Sequence, residues 1–68
     1  MDTFKLRKET ILLNQLLKAL GWCESGAQAN AAIEQGLVQV NGQQETRKRC
    51  QLHKGCIISF GKEQILLD

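Results

Sequence analysis

The stretch SGAQANAAIEQGLVQVNG, residues 25–42, contains a helix start, a helix stop, a strand and a hairpin turn in immediate succession. Ser25 is a predicted N-cap, and Gln28 completes a capping-box pattern with it. Gly36 suits the left-handed conformation that ends many helices. Asn41-Gly42 is typical of a type I′ turn, which needs positive φ at both central residues. The stretch therefore predicts a helix, a strand and a tight hairpin that hold the following segment in place.

Small apolar residues form one face of this predicted second helix. Ala29, Ala32 and Ile33 follow helical spacing. Ala27 and Ala31 lie beside them, and side chains of this size allow a close approach between helices. We therefore expect the second helix to pack tightly against a first one.

Four leucines upstream predict that first helix. They recur at helical intervals and are Leu13, Leu16, Leu17 and Leu20. Thr10 is the predicted cap at the start and Gly21 the predicted stop. Trp22, just after the stop, is interpreted as a plug over a small core. Residues 3–6 alternate polar and apolar side chains, which indicates a short edge strand before this helix.

The second half of the chain reads as strands separated by turns. Residues 43–52 are predicted to continue the hairpin as a strand, and residues 56–60 and 63–67 to form two more. Two helices followed by short strands indicate an α+β fold, with the helices packed on a small, mainly antiparallel, twisted sheet. Residues 1–68 are interpreted as a single domain.

Composition limits the classes of function. The 68 residues are 43% hydrophobic and 24% charged, with a formal net charge of +2. No apolar run has the length of a signal peptide or of a membrane-spanning helix. Three cysteines are an odd number, which argues against a closed disulfide framework. We therefore expect an ordered cytoplasmic protein with free thiols and no membrane partner.

Positive charge is concentrated in one segment. Residues 46–54 contain four Lys or Arg, one His and no acid, whereas the rest of the chain has five basic and all seven acidic residues. Strand alternation would place Arg47 and Arg49 on one face, where two guanidinium groups can bind phosphates. Lys48 would add long-range attraction. A solvated polar strand that protects a sheet edge is the alternative interpretation.

The motifs together resemble the S-four (S4) RNA-binding domain. They comprise the Leu16 helix, Gly21, Ser25, Ala29, Ile33, the run Gly36-Leu37-Val38-x-Val40-Asn41-Gly42, and Gly55 before an apolar strand. The run Glu45-Thr46-Arg47-Lys48-Arg49 is similar to that of the small stand-alone bacterial members, the YbcJ-like proteins. The resemblance implies an αL motif, two antiparallel helices on a small sheet, that binds structured RNA through the second helix and the hairpin.

Two departures from the family pattern affect the expected RNA contacts. Gly26 stands where many members have a basic residue, and helix two contains no Lys or Arg. Cys56 replaces an acid that commonly follows the glycine. The predicted RNA-binding residues are therefore Thr46, Arg47, Lys48 and Arg49, extended by Lys8 and Lys18, with Ser25 and Gln28 as hydrogen-bonding groups and Asn41 in the turn.

The preference for RNA over DNA follows from the resemblance and not from the charge. Ribosomal and transfer RNA both remain open as ligands, as does the oligomeric state. No cofactor and no small-molecule substrate are expected. Replacement of the arginines should weaken binding and reduce its salt dependence.

Metal binding is the alternative function. Cys50-x-x-His53-x-x-Cys56 places three potential zinc ligands in one segment, and Cys23 is a candidate fourth. These cysteines also suit small buried positions. An enzyme is not expected, because catalysis by a Cys-His pair needs a third orienting group. His53, the single histidine, is interpreted as a turn residue.

Overall fold

Over residues 2–68, which the computed structural model describes, the chain forms two helices and seven strands. In chain order they are β1 Asp2–Phe4, β2 Thr10–Leu12, α1 Leu13–Ala19, α2 Gly26–Glu34, β3 Val38–Val40, β4 Gln43–Gln44, β5 Gln51–His53, β6 Ile57–Phe60 and β7 Glu63–Leu67. A five-stranded sheet has the order β1-β7-β6-β3-β4, and β2 pairs with β5 in a separate ribbon. Only β1 and β7 pair in parallel within these residues. The predicted α+β class with a mainly antiparallel sheet is confirmed.

Residues 25–42 adopt the predicted local structure. Ser25 Oγ accepts a hydrogen bond from the Gln28 backbone N–H at 3.1 Å, as an N-cap should. The Gln28 side chain differs from the expected capping box, because its Oε1 accepts from the N–H of Glu24, one residue earlier, at 2.8 Å. Asn41 and Gly42 have φ values of 53° and 82°, which fit the type I′ turn between β3 and β4.

One hydrophobic core joins both helices to both sheets. Its fully buried large side chains are Leu13, Leu16, Leu17, Ile33, Val38, Leu52, Ile58 and Leu67. Ala29 and Ala32 are buried where α2 faces the core, but Ala27 and Ala31 are exposed, so the prediction that they assist helix packing is wrong. Half-buried Trp22 packs on this core, with its ring centroid 6.2 Å from that of Phe60.

The first helix begins two residues later than predicted, at Leu13 with Leu12 as its N-cap. Thr10 does not cap it; Thr10 lies in β2, opposite His53. The first free N–H groups of α1 are instead satisfied by tertiary contacts, since Leu13 N donates to Cys50 O at 2.9 Å and Asn14 N to Lys48 O at 3.1 Å. A cap supplied by a segment about 35 residues away leaves no local signal in the sequence.

The predicted long strand over residues 43–52 is also wrong. Strand β4 ends at Gln44, residues 45–50 are irregular, and β5 starts at Gln51. The carbonyl groups of Lys48 and Cys50 bond to α1, so this part of the backbone leaves the five-stranded sheet. Arg47 and Arg49 are therefore not alternating residues of a strand.

Neither of the two helices found in residues 2–68 has the length and apolar character that a bilayer crossing requires.

The left-handed backbone conformation of Gly36 leads to a prediction about stability. Gly36 has φ +77°, its carbonyl accepts from Gln44 Nε2 at 3.1 Å, and an added Cβ would collide with that amide. We expect Gly36→Ala to lower the free energy of unfolding by about 1 to 2 kcal/mol, measured by urea denaturation. Gly26→Ala is the matched control, because no atom lies within 4 Å of its added Cβ and φ is not positive. Equal stability of the two variants would contradict the prediction.

Candidate nucleic-acid interface

The basic segment lies across the start of the first helix. We call residues 45–50 the basic loop. The bonds from Leu13 and Asn14 fix the carbonyls of Cys50 and Lys48, and Cys50 N closes a turn on Arg47 O at 3.2 Å. The loop is thus held by backbone hydrogen bonds at a defined place, beside α1 and close to α2.

Within the basic loop, Arg47 is bound by an acid of the same loop. Arg47 Nε lies 3.0 Å from Glu45 Oε2, and Nη2 lies 3.2 Å from Oε1, so the pair is bidentate. The Arg47 backbone N–H also donates to Oε2 at 3.0 Å. These bonds lower the pKa of the Glu45 carboxyl to about 2. Glu45 therefore occupies a guanidinium that was predicted to bind phosphate.

The ion pair between Arg47 and Glu45 leads to a prediction about pH dependence. We expect Arg47→Gln to raise the pKa of Glu45 from about 2 toward its ordinary 4.5, because the side-chain bond from Arg47 is the largest cause of the shift. The pair stabilises the fold above about pH 4.5, and this contribution is lost as the pH falls toward 2. Carboxyl-carbon NMR titration measures the pKa. Lys48→Gln serves as the control, and a Glu45 pKa that stays near 2 in Arg47→Gln would exclude this account.

Lys48 makes a weaker contact with the second helix. Its Nζ lies 3.9 Å from Glu34 Oε2, and the two side chains are 47% and 59% exposed. Solvent screens a pair of this exposure, so the contact leaves Lys48 able to exchange partners. The acid comes from α2, which has no Lys or Arg of its own.

Arg49 lies in a cleft that α1 and the start of α2 form with the basic loop. We call this surface the helix cleft; its volume is about 290 Å³ and its lining residues are Leu12, Asn14, Gln15, Lys18, Gly26 and Arg49. Lys18 and Arg49 are 31 positions apart in the sequence but share this cleft. No acidic residue lines it, and neither cation has an ion pair within residues 2–68. The helix cleft is therefore a concave surface with two available positive charges.

Two amide side chains, those of Asn14 and Gln15, also line the helix cleft. Asn14 Nδ2 donates to Asn30 Oδ1 at 3.1 Å, which ties the start of α1 to the middle of α2. Asn14 Oδ1 is buried, and no donor among residues 2–68 reaches it. Asn14 and Gln15 were not predicted site residues. Their one sequence signal is a polar pair between Leu13 and Leu16, which is also ordinary for an amphipathic helix.

A second concave surface adjoins the first. We call it the N-terminal cleft; its volume is about 400 Å³ and it is lined by Phe4, Lys5, Arg7, Lys8, Thr10, Ile11, Gln15 and Ala19. Gln15 lines both clefts, so they meet on the same side of α1. This places Lys8, a predicted RNA-binding residue, in a different cleft from Lys18 and Arg49.

The remaining predicted RNA-binding residues differ in their surroundings. Ser25 and Gln28 use the oxygens of their side chains in the N-terminal cap of α2. The Asn41 carbonyl oxygen Oδ1 accepts from Ile57 N at 2.9 Å and so stabilises the hairpin. Thr46 is exposed in the basic loop. The structure thus brings Lys18 and Arg49 together and engages Arg47, Ser25, Gln28 and Asn41 in internal bonds.

The cysteines and the histidine do not assemble into a metal site. Cys56 Sγ lies 3.9 Å from His53 Nδ1, but no group of three or more potential ligands forms in the described part of the chain. Cys23 and Cys56 are buried and Cys50 is half-buried, and burial raises the pKa of the Cys23 and Cys50 thiols. His53 ends β5, and its carbonyl accepts from Cys56 N at 3.2 Å, so it is also the first residue of the turn that follows. This arrangement gives no support to the zinc alternative.

Comparison with known proteins places these features in context. The family model described as S4 domain matches residues 4–67. The "Putative RNA-binding protein YbcJ" of Escherichia coli (strain K12) is 48% identical over 66 residues, which cover 96% of this chain and 94% of that protein. The "Uncharacterized protein YbcJ" of Shigella flexneri matches with the same identity and coverage.

A solved structure is similar over almost the whole chain. The solution structure of YbcJ from E. coli, described as revealing an αL motif involved in RNA-binding, has a TM-score of 0.74 and 47% sequence identity. The match covers 98% of this chain and 86% of that one.

Proposed function

The chain belongs to the S4 domain family, and on this premise we propose that it binds structured RNA in the cytoplasm through the helix cleft and the adjoining basic loop. The resemblance inferred from the sequence is confirmed at the level of the family. The observation that carries the proposal is that Lys18 and Arg49 line the same cleft and that no acidic residue lines it.

The chemistry of the helix cleft suits a phosphate backbone. Arg49 offers a planar fork of donors and Lys18 a mobile point charge, which together contact adjacent phosphate oxygens. Gly26 begins α2, where the helix macrodipole favours a negative charge. Three sources of positive potential therefore converge on one concavity.

The ligand is proposed to be a folded RNA that is recognised by shape and backbone. None of the six residues lining the helix cleft is aromatic, so this surface offers no platform for stacking single-stranded bases. The exposed amide of Gln15 can hydrogen-bond to a 2′-hydroxyl group, which distinguishes RNA from DNA. Arg47 has a smaller role in this proposal, because a phosphate must compete with Glu45 for its guanidinium.

An NMR titration tests the proposal. We expect a structured RNA hairpin to shift the amide signals of Lys18, Gly26 and Arg49 at both low and moderate salt. A duplex DNA of the same length and charge should give smaller shifts that vanish at the higher salt, because nonspecific binding depends mainly on counterion release. Shifts that are equal for both nucleic acids, or that scatter over the surface, would leave only nonspecific polyanion binding and would reject the proposal.

A further inference from the structure

The N-terminal cleft combines positive charge with an apolar floor. Phe4 and Ile11 are half-buried and pack against the core, and Ala19 adds a small side chain from α1. Three exposed cationic side chains also line the cleft, those of Lys5, Arg7 and Lys8. The helix cleft has fewer apolar side chains, because Leu12 is the one apolar side chain among its lining residues. The two clefts therefore suit different parts of a ligand.

A nucleotide with an unpaired base matches this second cleft. Its volume of about 400 Å³ lies in the range of small-molecule sites. A base is a flat, largely apolar ring that can pack on Phe4 and Ile11, while its phosphates remain at the cationic rim. Thr10 and Gln15 supply hydrogen-bonding groups for the edge of the base.

The charge around the N-terminal cleft also favours an anion. None of its eight lining residues is acidic, although Glu9 lies in the same connection between β1 and β2. No ion pair engages Lys5, Arg7 or Lys8 within residues 2–68. An uncharged apolar ligand would leave these three cations without a role at the site.

We infer that the N-terminal cleft binds a single unpaired nucleotide of the RNA whose backbone occupies the helix cleft. This inference rests on the proposed function and adds a structural requirement to it. Gln15 lines both clefts, so a continuous strand can pass from Lys18 and Arg49 to the rim formed by Lys5, Arg7 and Lys8. The preferred RNA is then a helix with a bulged or flanking unpaired nucleotide.

The test compares two RNA hairpins that differ by one bulged nucleotide. We expect the protein to bind the bulged hairpin about tenfold more tightly by fluorescence anisotropy, since packing of one base on apolar side chains is worth about this factor. Ala19→Gln places a longer side chain at the cleft and should reduce the preference to about threefold or less. Ala31→Gln introduces the same change on an exposed face of α2 outside both clefts and should keep the tenfold preference.

A second measurement does not depend on any variant. In the unsubstituted protein, the methyl signals of Ile11 should shift with the bulged hairpin and stay in place with the fully paired one. Equal affinity of the unsubstituted protein for both hairpins would overturn the inference and leave the proposed function intact. An equal preference for the bulged hairpin in Ala19→Gln and Ala31→Gln would do the same. Absence of binding to either hairpin at low salt would overturn both.

Discussion

Replacement of Lys18 and Arg49 together by glutamine is expected to weaken binding of a structured RNA by about tenfold to a hundredfold near 0.1 M salt. The reason is that each side chain is proposed to make a charge-assisted hydrogen bond to a phosphate. At an exposed, salt-screened surface each such bond contributes about 0.7 to 1.4 kcal/mol, and two of them give this range of affinity. The slope of log K against log salt should also fall by about 1.5 to 2 units, because two counterions fewer are released. Affinities measured at four or five salt concentrations give both quantities.

A charge-matched variant separates this effect from the loss of net charge. Lys54 and Lys62 are exposed, lie in the turns that precede β6 and β7, and line neither cleft. The Lys54→Gln, Lys62→Gln double variant removes the same two charges and should change the affinity by about threefold or less. If both double variants lose the same affinity and slope, the helix cleft is not the binding surface and only general electrostatic attraction remains.

Truncation of Ile33 is expected to have the largest effect on stability. Ile33 is fully buried on α2 and belongs to the core that joins both helices to the sheets. Ile33→Ala should lower the free energy of unfolding by about 2 to 5 kcal/mol, since it removes buried apolar surface and leaves a cavity. A domain of this length has roughly 3 to 10 kcal/mol in total, so a large fraction of the variant is expected to be unfolded at 37 °C. Urea denaturation followed by circular dichroism measures the change.

Leu37 provides the control within the same stretch of sequence. It lies four residues after Ile33 and is 52% exposed. Leu37→Ala should change the free energy of unfolding by about 0.5 kcal/mol or less, as is usual for surface positions. A loss at Leu37 as large as that at Ile33 would mean that Leu37 is covered in solution, for example by a second copy of the chain.

Local patterns in the sequence determined the elements that depend on near neighbours. The N-cap at Ser25, the left-handed Gly36 and the turn at Asn41-Gly42 form as predicted because each needs only a few adjacent residues with suitable side chains. The predicted leucine face of α1 is confirmed, because Leu13, Leu16 and Leu17 are all buried. The start of α1 was not, because a strand pair with residues 51–53 competes for Thr10.

Residues 25–42, together with the first helix and the later strands, thus indicated the fold class and the family, while the proposed site depends on contacts that the sequence did not reveal. Composition located the positive charge at residues 46–54, but the side-chain bonds that engage Arg47 and leave Arg49 in a cleft exist only in the folded chain. Lys18 joins Arg49 because the N–H groups at the start of α1 bond to carbonyls of the basic loop. The physical reason is range: caps and turns are satisfied within about four residues, whereas a binding cleft requires side chains from distant segments to meet.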